Sequence, residues 1–239
     1  MNQLIRKAGE AALRLLYPNT CPLCGRVTER EVCPDCAREV RPLREPLCKK
    51  CGKPIGSDQE EFCRDCSRTR HYFDEGRALW LHRKQAAWSI YQFKFHNRRI
   101  YAGFYASEMA RTYGGYIRKR GISLIVPIPL GRKKRRSRGF NQAEILAEKL
   151  SGKVQIPLDA DHLVRWRDTK PQKSLDPTAR RENVRGIFRW TGRSLSGQKV
   201  LLIDDIYTTG STLDSASRTL KKAGAEKVYF LTISIGQGY

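Results

Sequence analysis

Two groups of residues in this chain have the types and spacing that chemistry needs. The first is Val200-Leu-Leu-Ile-Asp-Asp-Ile-Tyr-Thr-Thr-Gly-Ser-Thr212. An apolar run read as a buried strand ends in two carboxylates, and a hydroxyl- and glycine-containing loop then opens a helix. Unpaired N–H groups at a helix N-terminus, together with its dipole, cradle a phosphate. Thr208, Thr209, Ser211 and Thr212 add side-chain donors, and Gly210 lets the backbone approach an anion closely. Asp204 and Asp205 suit vicinal sugar hydroxyls, directly or through a metal, so the segment matches a phosphorylated ribose. An acidic strand end that merely caps a helix accounts for one Asp but not for the pair plus the loop.

The second group is cysteine. All eight lie in four Cys-x-x-Cys pairs, Cys21/Cys24, Cys33/Cys36, Cys48/Cys51 and Cys63/Cys66. Each pair aims two thiolates at one tetrahedral zinc, and two pairs close a four-cysteine structural site. Four pairs therefore predict two structural zinc ions. Thioredoxin-like redox motifs come singly beside a βαβ pattern, which disfavours a redox role. Sequence-local pairing of the sites is the simpler reading. A cross-braced scheme closes longer loops, and loop entropy grows too slowly with length to decide between them. Gly25 and Gly52 end knuckle-like turns.

The elements that must position these groups follow from composition and pattern. With 239 residues there is room for one ordinary domain and a small one, and 40% apolar residues suffice for a core. The formal charge of +22 is a surface field. No apolar stretch spans a bilayer, and the first residues lack a signal peptide's apolar core, which predicts a cytoplasmic protein. Residues 1–17 place Leu4, Ala8, Ala11, Ala12 and Leu15 on one helical stripe. Such a helix docks on its own protein or, being basic and amphipathic, rests on anionic lipid at the inner membrane face. Residues 18–70 form a cysteine module that depends on metal for folding. Residues 76–239 alternate strands with helices: strands at 78–81, 124–129, 199–204 and 227–234, and helices at 84–112, 142–150 and 211–223. That order predicts an α/β domain with a mainly parallel sheet. In the helix at 84–112, Trp88, Tyr91, Phe95, Phe104 and Met109 are the expected apolar positions. Residues 165–186 are charged and read as a long mobile loop.

Residues 204–212 closely resemble the PRPP-binding motif of type I phosphoribosyltransferases. The resemblance implies ribose hydroxyls on Asp204 and Asp205, the 5′-phosphate on 208–212, and Mg²⁺ bridging to pyrophosphate. Thr208 stands where the 6-oxopurine enzymes carry an Asp base, a departure from purine salvage. A wider set, Val126-Pro-Ile-Pro129, Arg138-Gly-Phe-Asn-Gln142, Asp168-Thr-x-x-Gln172 and Arg181-x-Asn-Val-Arg-Gly-x-Phe188, resembles the ComF family of competence-associated proteins. That family also begins with a double zinc-ribbon module. This resemblance covers about residues 15–236. It implies a type I phosphoribosyltransferase-like fold behind a double zinc ribbon, and a role in DNA uptake and natural transformation with single-stranded DNA and a ComF helicase partner.

The basic residues fit that implication. Arg132, Lys133, Lys134, Arg135, Arg136 and Arg138 put six cations into seven positions of a run read as flexible, and Arg165, Arg167, Lys170, Lys173, Arg180, Arg181 and Arg185 crowd the long loop. Tyr91-Gln-Phe-Lys-Phe-His96 interleaves aromatics with cations, the pattern that stacks bases and tracks phosphates in single strands. Against this, a charge run is usually a solvated face, Tyr91 and Phe95 sit one helical turn apart as core residues do, and the run also suits the pyrophosphate of PRPP. His71, His82, His96 and His162 show no sequence partners. The leading expectation is a DNA-handling protein that retains PRPP–Mg²⁺ binding. The competing one is a working phosphoribosyltransferase with an unidentified acceptor. A PRPP-sensing regulator of duplex DNA is disfavoured by the lack of a helix-turn-helix.

Overall fold

The computed structural model describes residues 19–167 and 186–237. The expected helix at 1–17 and most of the loop at 165–186 lie outside these residues, as does the motif beginning at Asp168. The elements in chain order are α1 (Pro34–Glu39), α2 (Arg64–Arg68), β1 (Glu75–Leu81), α3 (Lys84–Phe95), α4 (Tyr101–Arg120), β2 (Leu124–Pro127), α5 (Arg132–Arg138), α6 (Gln142–Val154), β3 (Leu163–Arg165), β4 (Phe188–Trp190), β5 (Lys199–Tyr207), α7 (Ser211–Lys222) and β6 (Lys227–Ile235).

Four strands form a wholly parallel sheet in the order β1-β6-β5-β2. Their C-terminal ends therefore share one edge, the edge where open α/β sheets bind ligands. A parallel sheet needs cover on both faces, and the residues of β5 alternate accordingly. Leu201 and Ile203 pack with α3, α4 and α6, whereas Val200 and Leu202 pack with α7. Each fully buried side chain of this kind contributes about 1.5–3 kcal/mol.

The cysteine module does not stand apart. Cys21, Leu23, Cys33 and Cys36 share the core of the α3/α4/α6 face, and Cys48, Cys51 and Cys63 share that of the α7 face. The module thus straddles edge strand β1, with Leu43 N–H donating to Leu79 O and Gly76 N–H to Lys50 O, both at 2.8 Å. At Gly52 (φ +76°) a Cβ would fall 2.7 Å from Gly76 O, so only glycine permits this approach.

Several expectations are corrected. The single helix at 84–112 is two helices, α3 and α4, separated by a turn at 96–100 in which Asn97 takes φ +53°. Asparagine tolerates that left-handed conformation through its short polar side chain. The buried face of α3 is Ala86, Ser89, Ile90 and Phe93, while Tyr91 and Phe95 are more than half exposed. The run at 132–138, expected to be flexible, is helix α5. Residues at the two ends of the expected long loop, Leu163–Arg165 and Phe188–Trp190, pair as a short antiparallel ribbon. The strand at β2 stops at Pro127 rather than Pro129, and β5 runs on to Tyr207.

Candidate functional site

At the C-terminal edge of the sheet, β5 carries Asp204 and Asp205 while still paired with β6. The Asp205 N–H donates to Asp204 Oδ1 at 2.8 Å. Burial and the neighbouring Asp205 carboxylate push Asp204 up to about 7, against the pull of that N–H, Lys94 and Lys134. Asp205 turns toward α3, where Lys94 Nζ lies 2.7 Å from Oδ1 with both side chains largely buried. Lys94 is inconspicuous within the aromatic run of the sequence. Its signal is position alone, one helix beyond β1, and only the strand order places it beside the acidic pair.

Beyond Tyr207 the chain forms the loop expected to cradle phosphate. Thr208 is exposed, Thr209 Oγ1 and Ser211 Oγ lie 2.9 Å apart, and Gly210 (φ +76°) is the N-cap of α7. Gly210 O accepts from Asp214 N–H at 2.8 Å, which closes the first turn of α7, and the positive end of that helix's dipole faces the loop. A Cβ at Gly210 would meet Tyr207 Oη at 2.6 Å, so the ring of Tyr207 lies directly under the turn.

The basic run rises from the neighbouring strand. Helix α5 follows β2 after a short connection, and its side chains are exposed apart from the half-buried Arg138. Desolvation and the cations Arg165, Arg138 and Lys94 hold Lys134 below its usual range, with Asp205 opposing. Desolvation likewise lowers Arg138. Lys94 pairs with Asp205, while Lys134 and Arg138 are close enough to feel its charge. Arg138 also lies over the Phe95 ring at 5.0 Å, and Tyr91 packs on Phe95 at 5.0 Å, so the basic helix and the exposed aromatics form one surface. Arg135 is drawn aside by Glu144 at 3.5 Å. The motif at 138–142 is a connector: Gly139 (φ +76°) ends α5, Phe140 is buried beneath Arg99, and Asn141 caps α6 by accepting from Ala143 N–H while donating to Ile128 O.

The histidines are less isolated than their sequence suggests. His82 Nδ1 is 2.9 Å from Ser234 Oγ, with its pKa lowered by burial and Lys94, and His162 Nδ1 is 2.8 Å from Asp159 Oδ2. The buried His71 stacks on Phe73 and lies 3.4 Å from Asp214. A groove of about 790 Å³ beside α7, lined by Arg70, Tyr72, Trp190, Arg218 and Lys222, also opens at Thr209 and Ser211.

The cysteines gather into two sets, Cys21/Cys24/Cys33/Cys36 and Cys48/Cys51/Cys63/Cys66, with all Sγ atoms of a set within 4.8 Å. The grouping is local in sequence. Sγ–Sγ distances of 3.6 Å, for Cys24–Cys33 and Cys51–Cys63, approach the roughly 3.8 Å that Zn–S bonds of about 2.3 Å impose on a tetrahedron. The knuckles are built alike: Gly25 N–H donates to Cys21 O and Gly52 N–H to Cys48 O. Both sets fit closed structural zinc sites with no position left for catalysis.

Comparison with known proteins follows the same division. A double zinc ribbon domain family model matches residues 12–67, and a phosphoribosyl transferase domain model matches residues 136–234. Competence protein ComFC of Bacillus subtilis (strain 168) is 29% identical over 213 residues, covering 89% of this chain and 75% of that protein. DNA utilization protein YhgH of Escherichia coli O157:H7 is 30% identical over 142 residues; the match covers 58% of this chain and 62%, less than two thirds, of that protein. Among solved structures, a purine phosphoribosyltransferase from Pyrococcus horikoshii Ot3 superposes over 54% of this chain and 82% of its own, with 19% identity and a TM-score of 0.35. These likenesses support a ComF-type protein, with a double zinc ribbon set before a type I phosphoribosyltransferase-like domain.

Proposed function

We propose that this protein acts in DNA uptake, binding PRPP with Mg²⁺ at residues 204–212 and single-stranded DNA across α5 and the exposed aromatics of α3. The competence and DNA-utilization relatives support the role in DNA uptake. The observation that carries the ligand reading is the acidic pair at the end of β5 running directly into the left-handed turn at Gly210 and the start of α7. Asp204 and Asp205 would hold the ribose hydroxyls, and 208–212 the 5′-phosphate. Mg²⁺ takes oxygen donors, keeps several waters and binds through one or two carboxylates plus substrate phosphates. Two adjacent carboxylates beside a phosphate loop fit that requirement, and bound Mg²⁺ would neutralise the pyrophosphate. Lys94 holds Asp205 until ligand arrives, and Lys134 and Arg138 supply further positive charge at the same place.

For DNA, the outward Tyr91 and Phe95 offer π-faces, and α5 tracks phosphates. The intact acidic pair, with Asp204 poised near neutral pH, favours a second reading in which phosphoribosyl transfer to an acceptor persists. The deciding experiment measures binding of the zinc-loaded protein to PRPP–Mg²⁺ and to single- and double-stranded DNA, separately and in competition. Binding of both PRPP and single-stranded DNA, without PRPP consumption, supports the first reading. PRPP turnover with a trial acceptor selects the second, and failure to bind either ligand sinks both.

A further inference from the structure

The two four-cysteine clusters occupy different surroundings. The first packs on α3: Trp88 covers Gly25, and the Ser89 hydroxyl donates to Pro22 O beside Tyr105. The second packs toward the phosphate loop. Cys48, Cys51 and Cys63 share a core with Phe73, Tyr207, Phe230 and Leu213. Phe73 meets Phe230 edge-on at 4.9 Å, and the Tyr207 ring stacks on Phe230 at 5.1 Å. Lys53, almost wholly buried, pairs with Asp65 of α2 and lies 6.0 Å from the Tyr207 ring centroid. The chain leaving the second cluster then docks on the first turn of α7, where Asp214 accepts from Tyr72 N–H at 2.5 Å. Tyr207 belongs to the core that the cluster shares, and the tip of its ring sets the floor under Gly210.

We propose that Tyr207 is a positioning residue through which the metal-loaded second cluster holds the phosphate loop, so that anion binding at 208–212 requires metal in the second cluster and not in the first. The inference rests on reading 208–212 as an anion site. Residues 48–66 contain few apolar side chains besides their cysteines, so metal is their main organising contact. Without it the wall of Phe73 and Lys53 loosens and the Tyr207 ring gains room to tilt. The left-handed turn at Gly210 then loses its floor, and N–H groups that must converge on one anion diverge. No member of the first cluster belongs to this core among the described residues.

The test uses the full chain and three variants: Cys66→Ser in the second cluster, Cys24→Ser in the first, and Tyr207→Leu. Zinc is counted in each, and amide hydrogen exchange is read at 208–212, with β6 as internal control. Inorganic phosphate and PRPP probe anion affinity. The expected result is loop exchange about tenfold faster, with β6 unchanged, in Cys66→Ser and Tyr207→Leu. Tyr207→Leu keeps both metals and still loses phosphate affinity, whereas Cys24→Ser loses one metal and keeps loop protection. Wild-type loop protection in Tyr207→Leu overturns the proposal, and so does an equal response to Cys24→Ser and Cys66→Ser. If Cys66→Ser fails to fold, Tyr207→Leu decides alone. Exchange is read without ligand, so a wild-type protein that protects its loop yet binds neither probe refutes the anion-site reading separately from the coupling.

Discussion

Asp204 is held in a state that works against the fold at neutral pH. Its pKa rises from the ordinary 3.8 to about 7 because burial and Asp205 both penalise its charge. Between about pH 4 and pH 7 the folded protein therefore binds a proton that the unfolded chain has released. Stability falls with rising pH wherever the native state binds more protons. This contribution is present in full below pH 4 and lost as pH rises through 7. At 1.36 kcal/mol per unit the shift corresponds to about 4 kcal/mol. Asp204→Asn keeps the shape and the acceptor for Asp205 N–H but never ionises. It should match the wild type near pH 4 and exceed it by up to about 4 kcal/mol at pH 8, which raises Tm by about 10 °C for a chain of this size. Urea unfolding and thermal melts of both proteins at intervals from pH 4 to pH 8.5, without divalent cation or phosphate, measure the difference directly. A gain that is the same at pH 4 and pH 8 would refute the reasoning, since only ionisation of Asp204 makes the two profiles diverge. The variant should also lose PRPP affinity, because the group that destabilises the free protein is the one that meets the ligand.

Three further outcomes are expected. Gly210→Ala must accommodate φ +76° and a Cβ 2.6 Å from Tyr207 Oη, so it should cost about 1–3 kcal/mol by denaturant unfolding and weaken phosphate binding at least tenfold; wild-type values of both would show that the turn is not under constraint. Lys94→Met leaves Asp205 without its 2.7 Å partner in a largely buried place, so stability should fall by about 3 kcal/mol by denaturant unfolding, while unchanged stability would show that the pair contributes nothing. Replacing Arg132, Lys133, Lys134, Arg135 and Arg136 with Ala should weaken single-stranded DNA binding regardless of sequence, and flatten the slope of log K against log [salt] by ~0.7 per lost contact; identical slopes would make α5 a solvated face.

The parts legible in the sequence are those whose physics is local. The cysteine pairs announce their ligands by spacing, and the short continuous apolar runs at 124–127 and 200–203, each bounded by turn or charged residues, read as strands buried on both faces. The Asp-Asp and Thr-Thr-Gly segment carries its chemistry within nine residues. What stayed hidden depends on tertiary context. The pattern of α3 points to Tyr91 and Phe95 because large apolar residues outweigh small ones in a stripe, yet both are more than half exposed. The face that packs is instead Ala86, Ser89, Ile90 and Phe93, in which the small Ala86 and Ser89 let α3 approach the first cysteine cluster. The break between α3 and α4 has only Asn97 to mark it. Lys94 acquires meaning only when the strand order brings the helix after β1 near the end of β5, and no pattern of period 2 or 3.6 encodes strand order.

That order has a consequence for how the chain is made. Strand β6 follows every other strand in the sequence yet lies in the middle of the sheet, between β1 and β5. As the polypeptide emerges from the ribosome, among the described residues β1 has no strand beside it and β5 has only β2. The sheet is two separate pieces until its last-translated member slides between them. The bond that β1 accepts from Leu43 and the one it donates to Lys50 give its backbone some cover during that wait. Residues 227–235 thus act as a keystone. A nascent chain stalled before residue 227 should remain protease-sensitive throughout its larger part, including the acidic pair, and gain resistance in one step when the final strand enters.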